Sequence, residues 1–194
     1  MSTVSTGALL LPAQLPGVRD VSKVAAGTYK LEPDHTQVLF TFNHLGFTDY
    51  TGQFVQPSGS LTIDPAHPHK SKVDATFAIA RVTTTSAHLD QALQSAEFFD
   101  AAKFPEAHFT STKVVLNDSD ATIDGDLTIK GVTRPITLQV RLVGAGINPR
   151  PPNKATVGFA ATAAIKRSDF GMSFGVPIIS DRIDLVINAA FETE

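Results

Sequence analysis

Six histidines are the side chains of this chain best suited to proton transfer, metal binding or hydrogen bonding near neutral pH. His44 closes an alternating segment, HTQVLFTFNHLG (35–46), and shares one face with Val38, Phe40 and Phe42. A neutral imidazole at the end of an apolar face can exchange one hydrogen bond with a phenol, quinone or alcohol group. The alternative is a core histidine satisfied by a neighbouring backbone group.

Three further polar residues are candidates for contact with a ligand head group. His35 lies on the opposite face, after Pro33 and Asp34, and is either a hydrogen-bonding residue at the start of the strand or a ligand contact. Arg167 and Asp169 stand near the end of a predicted strand. They form either an ion pair that fixes the following loop or a site for a charged group, since a guanidinium binds phosphate or carboxylate through two hydrogen bonds.

Other kinds of chemistry find little support in the sequence. His67 and His69 flank Pro68, but no third ligand stands at a recognisable spacing, so we favour a solvated loop and predict no metal site. Cysteine is absent, and no Gly-x-Ser-x-Gly motif or glycine-rich phosphate loop occurs. The net charge of -3 and the scattered basic residues give no reason to expect a nucleic-acid partner.

The elements that must position these residues are β-strands, because apolar and polar residues alternate along most of the chain. With the opening segment and stretches near 51–64 and 108–116, we count about eight strands, the others being 73–79, 123–129, 136–142, 157–165 and 183–191. Turn residues separate them at 64–65, 117–120, 131–135 and 148–153. This spacing is typical of an all-β sandwich or antiparallel barrel, and strands of this length favour the closed barrel because it leaves no open edges. Eight strands make about the smallest barrel that holds one ligand.

One segment has a helical period instead. In SAHLDQALQSAEFF (86–99), Leu89, Leu93 and Ala96 fall at i, i+4 and i+7, and Ser86 is a suitable N-cap. A cluster of aromatic residues follows: Phe98, Phe99, Phe104 and Phe109. We expect a short helix that either closes one end of the barrel or flanks it from outside.

The termini set the domain limits. We interpret residues 1–26 as an N-terminal arm that is partly ordered, the alternative being a frayed terminus or sequence added for expression, and residues 27–194 as the barrel domain. The early apolar run at 8–11 is cut by Pro12 and Pro16, so no membrane span is predicted. The first basic residue is Arg19, so no signal peptide is visible and we expect a cytoplasmic protein, or a periplasmic or secreted one if the true precursor differs.

These landmarks together resemble the YceI family of lipocalin-like, polyisoprenoid-binding proteins. The resemblance covers 27–192 and rests on an ordered set of short motifs: DHT (34–36) with Phe40 and Phe42, HLG (44–46), YTGQF (50–54), SAEFFD (95–100), KFP (103–105), FTST (109–112), GDLTIKGVTRP (125–135) and RSDFG (167–171), followed by the closing strand. It implies an eight-stranded antiparallel lipocalin-like barrel that encloses a long isoprenoid chain. It also implies a homodimer, frequent export and no catalytic activity.

The chain departs from the family pattern in the helix. An Arg-Asp-x-His-Leu run is usual there, whereas residues 89–93 read Leu-Asp-Gln-Ala-Leu. A head-group contact at those positions therefore does not carry over to this chain.

The sequence thus predicts a protein that binds, transports or stores an apolar small molecule, an isoprenoid lipid or isoprenoid quinone, and has no other cofactor. The expected ligand-binding residues are Val38, Phe40, Phe42, His44, Phe77, Ile79, Leu89, Leu93, Phe98, Phe99, Leu127, Leu138, Val140, Phe159 and Phe170. The possible head-group contacts are His44, His35, Arg167 and Asp169. One alternative is a cyclase or isomerase that uses His44 or Asp34 as proton carrier in the same cavity. Another is an interaction module with a filled core.

Overall fold

Ten β-strands form one antiparallel sheet in a computed structural model, which describes residues 14–194. The strands are β1 (Gly27–His44), β2 (Thr48–Phe54), β3 (Ser58–Ile63), β4 (Lys72–Ala78), β5 (Val82–Thr83), β6 (Glu106–Asn117), β7 (Asp120–Ile129), β8 (Val132–Ile147), β9 (Ala155–Lys166) and β10 (Arg182–Thr193). The helix α1 spans Ala87–Gln94. Short 3-10 helices occupy Val21–Lys23, Pro68–Lys70, Ile79–Arg81 and Arg167–Phe170.

The sheet closes into a barrel because β10 pairs with β1. Eight strands form the closed ring, in the order β1-β3-β4-β6-β7-β8-β9-β10. β2 pairs with the second half of β1, and the short strand β5 pairs antiparallel with the end of β2. The predicted eight-stranded antiparallel barrel is confirmed.

Two of the predicted strands are interrupted. The stretch expected at 51–64 divides into β2 and β3, because Gln56 has a positive φ of 51° and Pro57 has no N–H for the ladder. The stretch expected at 73–79 ends one residue early, and Ile79 begins a 3-10 helix instead.

Alternation places the apolar side chains of each strand inside the barrel. Ile183, Leu185 and Ile187 of β10 lie opposite Ile165, Ala163 and Ala161 of β9, and these cross-strand neighbours share the inner face. Gly52 of β2 pairs with Phe40 of β1, and a Cβ there would lie 2.3 Å from the Phe40 ring. This glycine is needed because the ring packs across its backbone.

The helix α1 is shorter than its apolar period suggested. Ser86 caps it by accepting the N–H of Leu89, as predicted, and Leu93 is buried. The helix ends at Gln94, so Ala96 lies outside it and is exposed. The chain turns there because the N–H of Phe99 bonds the carbonyl of Leu93, which buries the Phe99 ring. None of the helices within residues 14–194 is long and apolar enough to span a membrane.

The described part of the N-terminal arm, residues 14–26, lies against the barrel. Val18 and Ala145 of β8 exchange backbone hydrogen bonds of 3.1 and 2.9 Å, and Arg19 pairs with Asp120 at 2.7 Å. Gly146 makes room for this contact, since a Cβ there would lie 2.0 Å from the carbonyl oxygen of Pro16. The remainder of the predicted arm, 1–13, lies outside the described residues.

Candidate ligand-binding cavity

A cavity of about 900 Å³ runs along the inside of the barrel. Inward residues of β10 line it from Ile183 to Phe191, eight steps of about 3.3 Å, which gives a wall of about 26 Å. Its lining includes thirteen of the residues expected from sequence: Val38, Phe40, Phe42, His44, Phe77, Leu89, Leu93, Phe98, Phe99, Leu127, Leu138, Val140 and Phe159. The cavity is therefore long, narrow and apolar.

Two expected ligand-binding residues lie elsewhere. Ile79 and Phe170 are buried in the larger apolar cluster but are not part of the cavity lining. Both belong to 3-10 helices that follow a strand, where the chain turns and the two-residue alternation stops. Their side chains pack in the apolar cluster of the barrel and do not border the cavity.

The inner face retains open space. Phe42, Phe77 and Val140 face inward yet are only half-buried, because each borders the cavity. Protein interiors are normally close-packed, with few voids larger than a water molecule. A cavity of about 900 Å³ is therefore inconsistent with the filled-core alternative.

The cavity reaches exposed residues at both ends of the barrel. We call one the histidine end, lined by His44, Thr48, Tyr50, Arg167 and Ile179. We call the other the arm end, lined by Val21, Val24, Lys72, Leu116 and Asp120. The polar groups able to orient a ligand lie at both ends, and the walls between them are apolar.

His44 is the last residue of β1 and is half-buried at the histidine end. Its backbone forms a β-bridge with Ile179, and neighbouring polar groups are satisfied without it: Asn43 donates its N–H to Ser180 Oγ at 2.9 Å. Within residues 14–194 His44 makes hydrogen bonds through its backbone and none through its imidazole. The geometry leaves this ring available to a ligand and gives no support to the satisfied core histidine.

Tyr50 lies opposite Phe42 across β1 and β2, with the two rings stacked at 5.7 Å. Its hydroxyl is 2.8 Å from Thr85 Oγ1. Tyr50 is not among the residues expected from sequence, and its cross-strand pairing with the inward Phe42 reveals its position. Tyr50 extends the aromatic wall up to His44.

Arg167 is buried, with 5% of its surface exposed, and lines the histidine end. It donates four hydrogen bonds of 2.7–2.9 Å to the backbone carbonyls of Met172, Phe174, Ile179 and Ser180. Burial lowers the pKa of the guanidinium, and the charge of Asp181 partly offsets this effect. The side chain thus holds the loop after β9 in place.

The ion pair proposed between Arg167 and Asp169 is not formed. Asp169 is exposed and lies outside the cavity lining, whereas Arg167 turns inward to the backbone carbonyls. Asp181 supports the loop instead, accepting hydrogen bonds of 2.8 Å from the N–H and hydroxyl of Ser168. Burial tends to raise the pKa of Asp181, but these bonds and the charge of Arg167 outweigh it and hold the pKa below its usual value.

The family model of the YceI-like domain matches residues 29–191, which is nearly the whole barrel. The chain belongs to the YceI family. Protein YceI of Escherichia coli O17:K52:H18 (strain UMN026) is 38% identical over 165 residues, covering 84% of this chain and 85% of the relative.

Solved structures share the fold. BcnA of Burkholderia cenocepacia has a TM-score of 0.74 at 21% identity and covers 82% of this chain and 98% of its own. A polyisoprenoid binding domain from Saccharophagus degradans, implicated in plant cell wall breakdown, has a TM-score of 0.63 at 15% identity. That comparison covers 86% of this chain and 98% of the other.

In this YceI-family chain, the altered helix contributes apolar surface to the cavity. Leu89 and Leu93 line it next to Phe98. Asp90 accepts hydrogen bonds of 2.7 Å from the N–H and hydroxyl of Thr84. This carboxylate therefore anchors α1 to the chain entering it.

His35 lies away from the YceI-type cavity. It is exposed, and its Nδ1 lies 2.6 Å from Glu32 Oε2 beside a separate cleft of about 290 Å³. Burial raises the pKa of Glu32, but hydrogen bonds from the ring and N–H of His35 and the N–H of Asp34 bring it below its usual value. Asp34 is exposed and lies outside the cavity lining, so it is not placed to act as the proton carrier of the enzyme alternative.

His67 and His69 are exposed, His67 directly before and His69 within the 3-10 helix Pro68–Lys70, with their ring centroids 6.1 Å apart. His67 Nδ1 lies 3.2 Å from Asp64 Oδ2. Across residues 14–194, no three histidine, aspartate or glutamate side chains are grouped in a way that would hold a metal ion.

Proposed function

We propose that this protein binds a long apolar molecule, an isoprenoid lipid or isoprenoid quinone, inside its barrel for transport or storage. The observation that carries the proposal is the cavity of about 900 Å³, with apolar walls and an unpartnered imidazole at one end. The Saccharophagus degradans protein of the same fold is described as a polyisoprenoid binding domain, which supports this ligand class.

The apolar walls provide most of the affinity. Each 100 Å² of ligand surface removed from water contributes about 2.5 kcal/mol. The wall of about 26 Å along β10 fits an extended chain better than a compact molecule.

The head group lies at the histidine end in this proposal. His44 donates or accepts one hydrogen bond there, depending on its tautomer. Arg167 uses four of its five N–H groups on backbone carbonyls, and its positive charge favours an electron-rich oxygen on the ligand. A quinone carbonyl, a phenol or a phosphate meets this requirement.

The absence of tryptophan from the sequence gives a clean assay. Phe42→Trp places a single fluorophore on the cavity wall near His44, and Val186→Trp places one on the outer face of β10. A long-chain quinone delivered in detergent should quench the first and leave the second unchanged. Equal quenching of both, or none of either, would contradict the proposal.

We infer a binding protein rather than an enzyme. The family and the polyisoprenoid-binding neighbour favour binding, and within residues 14–194 no carboxylate forms an ion pair with His44. We further propose the homodimer implied by the family resemblance, which sedimentation of the purified protein would test. The compartment stays a prediction, and immunodetection in fractionated cells would test it.

A further inference from the structure

Four large apolar side chains are exposed at the histidine end of the barrel. Leu45 (43% exposed) and Phe47 (88%) lie in the β1–β2 turn, and Phe174 (53%) and Ile178 (67%) lie in the loop between β9 and β10. We call these four residues the rim patch. A single exposed apolar residue is ordinary, but four at one opening need a physical reason.

The rim patch is one surface, and it is continuous with the cavity. Leu45 donates its N–H to the carbonyl of Ile178 at 3.1 Å, which joins the two segments. Their neighbours His44 and Ile179 form a β-bridge and both line the cavity. The exposed ring of Phe174 also packs on Phe98, a lining residue, at 5.8 Å. The rim patch is therefore linked to the cavity wall through the apolar contact of Phe174 with Phe98.

The patch is preformed rather than frayed. Arg167 bonds the carbonyls of Phe174 and Ile179, which lie on either side of Ile178. On the other segment, Gly46 donates its N–H to Asn43 Oδ1 at 2.8 Å and Phe47 donates its N–H to the His44 carbonyl at 3.1 Å. These bonds hold the apolar side chains outward.

The charge pattern identifies the kind of surface that the patch fits. Residues 43–48 and 171–180 contain no aspartate, glutamate, lysine or arginine. A charged side chain at the centre of a bilayer costs about 2.5–3.5 kcal/mol even on insertion scales, so uncharged segments insert into a bilayer more easily than charged ones. A basic cluster, which would select anionic lipids, is absent from these two segments.

We infer that the rim patch docks onto the surface of a lipid bilayer and passes the apolar ligand between bilayer and cavity without exposing it to water. This inference rests on the proposed function. A bilayer fits the position of the patch better than a second copy of the chain, since a second copy seated there would cover the opening beside His44. Because segments 43–48 and 171–180 carry no charged side chain, docking through them should depend little on ionic strength or on anionic lipid.

Flotation with vesicles tests the inference. The intact protein should bind vesicles of phosphatidylcholine alone as well as vesicles containing phosphatidylserine, at low and at high salt. Removing one buried apolar side chain costs about tenfold or more, so Phe47→Ser with Ile178→Ser should weaken binding about 100-fold. The matched control, Val115→Ser with Val186→Ser, removes exposed valines away from the rim and should bind as the unmodified protein does.

Two results would overturn the docking inference: vesicle binding unchanged in the rim variant, or no vesicle binding by the intact protein, whether or not it self-associates through the rim patch. Quinone quenching of Phe42→Trp in detergent separates this inference from the proposed function. Quenching without vesicle binding rejects docking alone. Absence of quenching rejects the proposed function, and the docking inference with it.

Discussion

Filling the middle of the cavity should abolish tight ligand binding without unfolding the barrel. Ala161 lines the cavity from β9, opposite Val140 and Ile187, near the midpoint of the apolar wall. In Ala161→Phe the ring would project into open space. Ala164 lies three residues further along β9, is exposed on the outer face, and gives the matched control Ala164→Phe.

The expected magnitude follows from the area that the ring takes from the ligand. Blocking the middle of the wall excludes roughly 100 Å² of ligand surface, about 2.5 kcal/mol, which weakens binding about 70-fold. An added ring in a packed core destabilises by about 1–3 kcal/mol. Here the cavity of about 900 Å³ accommodates the ring, so the free energy of unfolding should stay the same or rise.

Quenching of the Phe42→Trp reporter measures the affinity, and urea unfolding followed by circular dichroism measures the stability. We expect weaker binding with undiminished stability in Ala161→Phe, and neither change in Ala164→Phe. If Ala161→Phe bound ligand normally, the ligand would not occupy the barrel. If it lost several kcal/mol of stability, the space beside Ala161 would already be filled.

Four other changes test separate parts of the structure. Replacing His44 by Phe should change the free energy of unfolding by no more than about 0.5 kcal/mol. It should weaken quinone binding about tenfold and leave the affinity for a hydrocarbon without a head group unchanged. Equal losses of affinity for both ligands would exclude a head-group role. Arg167→Met leaves four backbone carbonyls without a hydrogen-bond donor and should lower the free energy of unfolding, measured in urea, by about 3 kcal/mol or more. A loss below about 1 kcal/mol would show that the loop after β9 does not depend on Arg167. Gly146→Ala should release the arm from β8 and speed proteolysis on the N-terminal side of Gly27. The control Gly158→Ala should not, because a Cβ at Gly158 would meet no atom closer than 3.8 Å. Equal cleavage of both variants would refute the contact between the arm and β8. The pKa of Asp181 is lowered in the folded state, so its contribution to the free energy of unfolding is present above about pH 4 and is lost as pH falls further. Asp181→Asn should lose about 1 kcal/mol of stability at pH 7, after allowance for exposure, and should flatten the fall in stability at acid pH. An unchanged fall in stability at acid pH would contradict this assignment.

Most of the barrel and its cavity follow from local sequence pattern. The stripe from Ile183 to Phe191 alternates strictly, so the inner face of β10 could be assigned before its partners were known. The same reasoning placed His44 inside and His35 outside. Each of these assignments depends only on residues within one strand.

The parts that the sequence did not predict lack a period or depend on distant contacts. Ile79 and Phe170 lie in 3-10 turns, where alternation no longer indicates which side faces the cavity. The acceptors of Arg167 are backbone carbonyls, which have no side-chain signature. Asp181 lies 13 positions after Ser168, so the nearer Asp169 was the natural partner to propose.

The arm end shows the same limitation. Val21 and Val24 line the cavity although they precede the first strand. Their position depends on the contacts of the arm with Ala145 and Gly146 of β8, more than a hundred residues away. Nothing in the local pattern of the arm indicates a long-range contact of this kind.

Mass spectrometry of what the purified protein carries tests the central claim most directly. The protein and its Ala161→Phe variant would be purified identically without added lipid, extracted under denaturing conditions and compared. The barrel account predicts a long apolar molecule with a polar head, near one per chain, in the unmodified protein and its depletion in the variant. Extracts that contain no such molecule, or contain it equally in both proteins, would contradict a ligand held inside the barrel.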